Sequence, residues 1–300
     1  MLSILIPTYN YNVFPLVSSL NSLCSNSGVA FEIIVCDDGS GSKLNIENEK
    51  INTLPNGRFI ALQNNVGLSE NRNTLAREAQ YENLLFIDGD SIIIELDFIS
   101  NYLISLENTD VVYGGRIHPE KIDAPARKLR WRYGREVEDK IAAERNKNIY
   151  RSLLFNNALI KKTAFNKIKF DPELRQYGHE DTLFAYHASL LKLRVKHIDN
   201  AVEHGDVDLS SVFLQKTKFG LNNILDLYRK GKIDGDFVKI ISVYTKLSKL
   251  MLRVPAGFFY SIFNEIMYKN LTSGNPSLMV FNIYRISYLC SLKIANVPAA

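Results

Sequence analysis

The sequence predicts an α/β chain: a mostly parallel sheet with helices on both faces, followed by a helical C-terminal extension. Three observations predict it. Strand and helix segments alternate through the first 115 residues. The strands are apolar throughout instead of alternating with polar residues, as strands buried on both faces must be. From about 210 onward only helical patterns occur.

The elements follow in order. Residues 2–6 (LSILI) form a short apolar strand ended by Pro7, and 13–24 carry apolar residues at helical spacing. A second strand, 31–36, runs into Asp37-Asp38-Gly39-Ser40, a turn signal. A third strand covers 58–62 and a helix 69–80, with Ser69 as its cap. A fourth strand, 83–88, ends in another acidic turn, a helix covers 97–106, and 110–114 is a fifth strand. Beyond Gly115 the reading is a mobile, Arg-rich loop, a helix over 136–150, a strand over 153–160, a helix over 180–193 and a short strand at 195–198. Helices are expected at 210–230, 236–252, 257–269 and 278–294.

Composition excludes several classes. With 46% hydrophobic and 23% charged residues the 300-residue chain is neither disordered nor collagen-like. A net charge of +4 is too small to imply nucleic acid. The charge is uneven, however: 206–300 holds 12 basic and 6 acidic residues. Basic helices containing MLRVPAGFFYSIF and LMVFNIYRISYLC suggest peripheral membrane contact through 250–294, with packing on the rest of the chain or on a second subunit as the alternative. No apolar run reaches the ~18 residues of a transmembrane helix. The three cysteines lack a CxxC pair and fit a reducing compartment. No basic region precedes the first apolar run, so no signal peptide is expected. The expected location is cytoplasmic, at the inner face of the cell membrane if the basic helices touch lipid.

Ligands of open parallel sheets bind beyond the carboxyl ends of the strands. Here those ends carry Pro7-Thr8-Tyr9-Asn10, Asp37-Asp38-Gly39-Ser40 and Asp88-Gly89-Asp90. Two carboxylates two residues apart, Asp88 and Asp90, suit a hard divalent cation. A nicotinamide-dinucleotide site would need G-x-G-x-x-G after the first strand, and that turn holds no glycine.

SILIPTYN, EIIVCDDGS, NNVGLSENRNTLA and LLFIDGD, then YGHEDTLFAYH and VEHGD, occur in that order. In order and spacing they resemble the family 2 nucleotide-sugar glycosyltransferases over roughly 1–210. The resemblance implies the GT-A fold, with a catalytic domain over 1–209 (nucleotide-binding half 1–115, acceptor half 116–209) and an extension over 210–300. It implies an inverting, Mn²⁺- or Mg²⁺-dependent transfer from a nucleotide sugar, UDP-sugar favoured, to a saccharide or lipid-linked acceptor in surface polysaccharide synthesis of the bacterial type. Carried over by residue, Pro7 and Tyr9 line the base pocket, Asp38 accepts a hydrogen bond from the base and Arg72 lies near the nucleotide. Asp88 sits near the ribose, with Gly89 beside it, and Asp90 and His204 hold the metal. Asp181 is the general base, with Glu180 as its rival. The interleaved cluster around Arg130, Trp131 and Arg132 suits a phosphate-bearing acceptor. Two other readings stand beside this one. A sugar-1-phosphate nucleotidyltransferase would want a Gly- and Arg-rich loop where PTYN stands. A non-catalytic sugar-nucleotide-binding protein would not need Asp88, Asp90, Asp181 and His204 together.

Overall fold

The computed structural model describes residues 1–292. In chain order the elements are β1 (Leu2–Thr8), α1 (Phe14–Ser27), β2 (Phe31–Asp37), α2 (Asn45–Asn48), β3 (Gly57–Ala61), α3 (Leu68–Glu78), β4 (Asn83–Ile87), β5 (Ser91–Ile93), α4 (Phe98–Ser105), β6 (Val111–Tyr113) and β7 (Arg116–Ile117). There follow α5 (Lys128–Tyr133), α6 (Ala142–Arg145), β8 (Asn157–Lys161), α7 (Lys162–Ile168), α8 (Glu180–Leu190), β9 (Val195–His197) and β10 (Val202–His204). The chain then continues as α9 (Ser210–Arg229), α10 (Lys239–Lys249), α11 (Arg253–Leu271) and α12 (Leu278–Ser291). Among the described residues no helix is long and apolar enough to cross a membrane.

Two compact units divide the chain. The first joins Met1–Glu120 with Gly134–Asp206, and the second joins Lys121–Tyr133 with the residues from Val207 onward. A single cut after 209 therefore misses one segment. The Arg-rich stretch read as a mobile loop forms α5, and Leu129 is buried with Leu214, Met267, Leu271, Phe281 and Tyr284 of the helical unit. The Leu129 amide donates to Ser210 Oγ at 3.3 Å.

The first unit is built on a seven-stranded sheet in the order β3-β2-β1-β4-β8-β6-β9. β1, β2, β3 and β4 run parallel, and β8 runs antiparallel between β4 and β6. Alternate residues face opposite ways along a strand. Leu2, Ile4 and Ile6 meet Leu16, Val17 and Leu20 of α1 and Phe98 and Tyr102 of α4. On the other face Phe86 meets Phe155, Phe165 and Phe170, with Phe184 of α8 against the last three. Helices thus cover both faces, as continuous apolar strands require.

Sequence periodicity missed a second sheet, β5-β10-β7. Its strands have only two or three residues, too few to show a period. It matters because it registers His204 opposite Ser91 and draws the Gly205 amide to the Asp90 carbonyl at 2.8 Å. The helix expected over 136–150 is also absent. A π-helical turn (Gly134–Glu138), the single turn α6 and a 3₁₀ turn stand there. Side chains interrupt the helix: Asp139 accepts from the His118 amide, and Asp199 accepts from the Ala142 amide.

Candidate active site

The carboxyl ends of β1, β2 and β4 bring the acidic turns to one edge of the sheet. Pro7 is buried in β1 opposite Cys36, while Tyr9, just past the strand, is 59% exposed. Asp37 binds its own turn through the Ser40 amide, Ser40 Oγ and Asn45. Asp38 takes the amides of Val66 and Gly67 on its two oxygens, at 2.8 and 3.0 Å. It is buried, and burial raises its carboxyl above the usual range against the pull of those amides. Asp38 therefore clasps the loop entering α3, with one lone pair of each oxygen taken by an amide. Gly39 explains why the two motifs occur together. It has φ of +67°, and a Cβ there would lie 2.3 Å from the Asn64 carbonyl carbon. Only glycine lets the second loop pass so close.

Arg72 is the centre of the site. Projecting from α3, it is 1% exposed and lies over the Phe170 ring at 5.2 Å. Nη1 donates to Asp181 Oδ1 at 2.6 Å and Nη2 to Asp88 Oδ1 at 3.0 Å, with Glu180 Oε1 3.7 Å away. Three carboxylates thus share one guanidinium. Its charge is met inside the protein, where it fixes two acids from distant parts of the chain.

The ledger of charge decides where a proton sits. Arg72 contacts Asp88 and Asp181 at hydrogen-bond distance, whereas Glu180 stands farther off at 3.7 Å and feels the guanidinium less. Burial first, and the Asp181 charge second, push the Glu180 carboxyl up to about 7, while Arg72 pulls it down. Asp88 is also raised, chiefly by burial and opposed by Arg72. His179, at φ +71°, adopts a left-handed conformation that is costly for a side chain with a Cβ, and it directs the first turn of α8.

This proton has a consequence for stability. Unfolded Glu180 loses its proton near pH 4.3, but the folded residue keeps it to about pH 7. The linked stability is full below about pH 4 and is lost as pH rises through 7. Glu180→Gln mimics the protonated acid. It should gain up to about 3 kcal/mol over the parent at pH 8 and little near pH 5. Thermal melts at both pH values check this, and an equal gap at the two would place the proton elsewhere.

A divalent metal is expected at Asp90 and His204. His204 Nε2 lies 2.9 Å from Asp90 Oδ2. Two cis ligands each about 2.1 Å from an octahedral ion sit roughly 3 Å apart, so the pair fits such an ion. His204 Nδ1 is buried without a hydrogen-bond partner. Its ring instead rests edge-on against His118, with centroids 5.1 Å apart, and Asp139 holds the His118 Nδ1 at 2.6 Å. Among the described residues no group of three or more His, Cys, Asp or Glu forms a metal cage.

Gly89 is set by packing. A Cβ there would meet Val13 Cγ1 at 2.8 Å and the Pro7 carbonyl at 3.3 Å. Sequence reading missed Tyr11, whose hydroxyl is raised by burial and then by the charges of Asp90 and Asp206. It also missed His118 and Asp139. Neither lies in a motif, and only the second sheet brings His118 to His204.

The acceptor residues belong to the other unit. Arg130 is buried with its guanidinium 5.1 Å from the centre of the Phe213 ring, and Arg132 donates to the Pro276 carbonyl at 2.8 Å. Trp131 is capped by the Lys128 ammonium at 4.9 Å. Arg130 and Arg132 thus make contacts that hold that unit together.

Residues 3–169 match the family model described as Glycosyl transferase family 2. The chain belongs to glycosyl transferase family 2. No curated protein sequence matches it. Among solved structures it is similar to S. aureus TarS, at 23% identity and a TM-score of 0.51, over 75% of this chain and 39% of that one. TarS 1–349 in complex with UDP-GlcNAc gives 20% identity and a TM-score of 0.52, over 75% and 66% of the two chains. Mannosyltransferase PcManGT from Pyrobaculum calidifontis, in complex with GDP-Man and Mn²⁺, gives 13% and 0.54 over 97% and 84%. At such identities the likeness shows the GT-A fold. The family match ends at residue 169, so Glu180, Asp181 and His204 rest on the geometry above.

Proposed function

We propose that this family 2 glycosyltransferase is an inverting, divalent-metal-dependent enzyme that moves a sugar from a UDP-sugar to a glycan or lipid-linked saccharide of a surface polysaccharide. One observation carries the reading. Arg72 ties Asp88, at the end of β4, to Asp181, at the start of α8, beside the Asp90–His204 pair. In this reading an acid that takes a proton stands next to acids that would meet a metal-bound diphosphate.

Each residue then has a task. Tyr9 offers an open aromatic face to the base beyond Pro7, and Asp38 holds the loop that borders it. Asp88 faces the ribose. Asp90 and His204 would hold Mn²⁺ or Mg²⁺, which when bound neutralises charge on the departing diphosphate. Asp181 takes the acceptor hydroxyl proton, a contribution of roughly 10²–10⁴ in rate. Arg72 keeps Asp181 oriented, and the Phe155 amide fixes its second oxygen at 3.1 Å. The neighbour solved with UDP-GlcNAc supports a UDP donor, and the one solved with Mn²⁺ supports the metal.

The test is a panel of nucleotide sugars with and without Mn²⁺, read by nucleotide release and thermal shift. UDP-sugars should give metal-dependent release; no release from any donor would remove the transferase assignment. Within that assay Asp90→Ala should lower turnover at limiting Mn²⁺ by roughly 10²-fold or more. Its fold should persist, because the side chain is partly exposed and the backbone pairing to Gly205 remains. A metal titration identical to the parent's would take Asp90 out of the metal site.

A further inference from the structure

The helical unit carries a face that none of the described residues covers. On α11, Val254, Phe258, Ile262 and Ile266 recur every fourth residue and are 76%, 66%, 53% and 67% exposed. Phe259 and Phe263 lie alongside, their ring centroids 4.5 Å apart and their planes tilted by 35°. The turn before α11 extends the strip with exposed Leu250, Met251 and Leu252. A soluble monomer seldom leaves so long a contiguous apolar surface in water. The opposite side of α11 is already used: Gly257, Met267 and Leu271 are buried.

Charge identifies the occupant. By sequence the helical unit holds 17 Lys and Arg against 6 Asp and Glu, a net of +11, whereas the sheet unit is −7. Exposed Lys246 and Lys249 lie at the head of the strip, and exposed Lys269 lies one turn beyond Ile266. On the same helix a cavity of about 350 Å³ is lined by Lys218, Lys269 and the tyrosines Tyr260, Tyr268 and Tyr284, with Asn264 and Glu265 closing it. Lys218 lies 5.4–6.0 Å from three tyrosine rings. Aromatic rings and ammonium groups beside an apolar strip suit an interface with acyl chains below and phosphate headgroups above. A second copy suits it less, because a symmetric pairing would set +11 against +11.

We infer that α11 docks flat on an anionic lipid bilayer, with the 250–266 strip entering the acyl boundary and Lys218 and Lys269 meeting lipid phosphate. The inference stands apart from the transferase reading: a chain inactive on every donor would still bind. At about 28 Å, the 19-residue helix is long enough to lie along the surface.

Vesicle flotation tests it, with phosphatidylcholine vesicles and with phosphatidylcholine vesicles containing phosphatidylglycerol. The full chain should float with the anionic vesicles and be released by salt. The double variant Phe258→Ser/Ile262→Ser should lose at least tenfold in partitioning, since each buried side chain of this size contributes about that factor. Its melting temperature should hold, because both residues are exposed. Lys249→Gln with Lys269→Gln should weaken binding severalfold. Failure to float, equal binding to neutral vesicles, or undiminished binding by the serine variant would overturn the inference. So would a dimer, seen by sedimentation, that the serine variant breaks.

Discussion

Arg72→Met should destabilise the protein by about 3–5 kcal/mol, because it leaves Asp88, Glu180 and Asp181 as uncompensated acids in a buried pocket. The loss should depend on pH in a definite sense. Without the guanidinium the acids hold their protons more tightly in the folded state. Their charges cost stability as pH rises, so the gap between variant and parent widens from pH 5 to pH 8. Arg72→Lys should recover only part, since a point-charged ammonium cannot bridge Asp88 and Asp181 as two guanidinium nitrogens do. Asp88→Asn in the Arg72→Met background should restore stability by removing one of the stranded charges. Denaturant melts of the four proteins at both pH values check the set. An Arg72→Met protein as stable as the parent would mean the cluster is not the anchor described.

Asp181→Asn should cut transfer by roughly 10²-fold or more while donor affinity stays within a few-fold. An amide cannot take the acceptor proton at neutral pH. The structure adds a cost to this substitution. Asp181 now accepts from Arg72 on one oxygen and from the Phe155 amide on the other. In the variant the amide nitrogen must face one of those donors, a mismatch worth about 1–3 kcal/mol. Rate and affinity are therefore to be measured where the variant is fully folded. Glu180→Gln is the control, because Glu180 points into the protein toward the Gly178 amide. Transfer that survives in Asp181→Asn and fails in Glu180→Gln would move the base back one residue.

The sheet was legible because strands buried on both faces must be apolar without interruption. Residues 31–36 and 83–88 declare themselves in that way. The motifs were legible because each combines an acid with a turn-forming residue at a strand end. What the motifs do to each other was not. Asp38 and Gly39 look like a ligand turn, yet their bonds run to Val66 and Gly67 and past Asn64, contacts across some 25 residues. The resemblance alone places Arg72 near the nucleotide, and only the fold shows three acids converging on it. The α5 segment misled for another reason. Five basic residues in KLRWRY and its flanks suggest a site for a phosphate-bearing acceptor on a mobile loop, but Arg130 lies over an aromatic ring and Leu129 enters a core whose other buried members are more than 80 residues away. His118 and the strand holding His204 gave no signal, since three-residue strands carry no period.

The most direct test of the account is the configuration at the anomeric carbon of the first-formed product, read by proton NMR early in turnover of whichever UDP-sugar the enzyme accepts. A single proton-accepting carboxylate at Asp181 and a diphosphate that leaves without an acid predict one displacement, and so inversion. Retention would require either a second displacement through a nucleophile on the protein or attack from the face the diphosphate leaves, and would contradict the roles assigned to Asp181, Arg72 and Asp88.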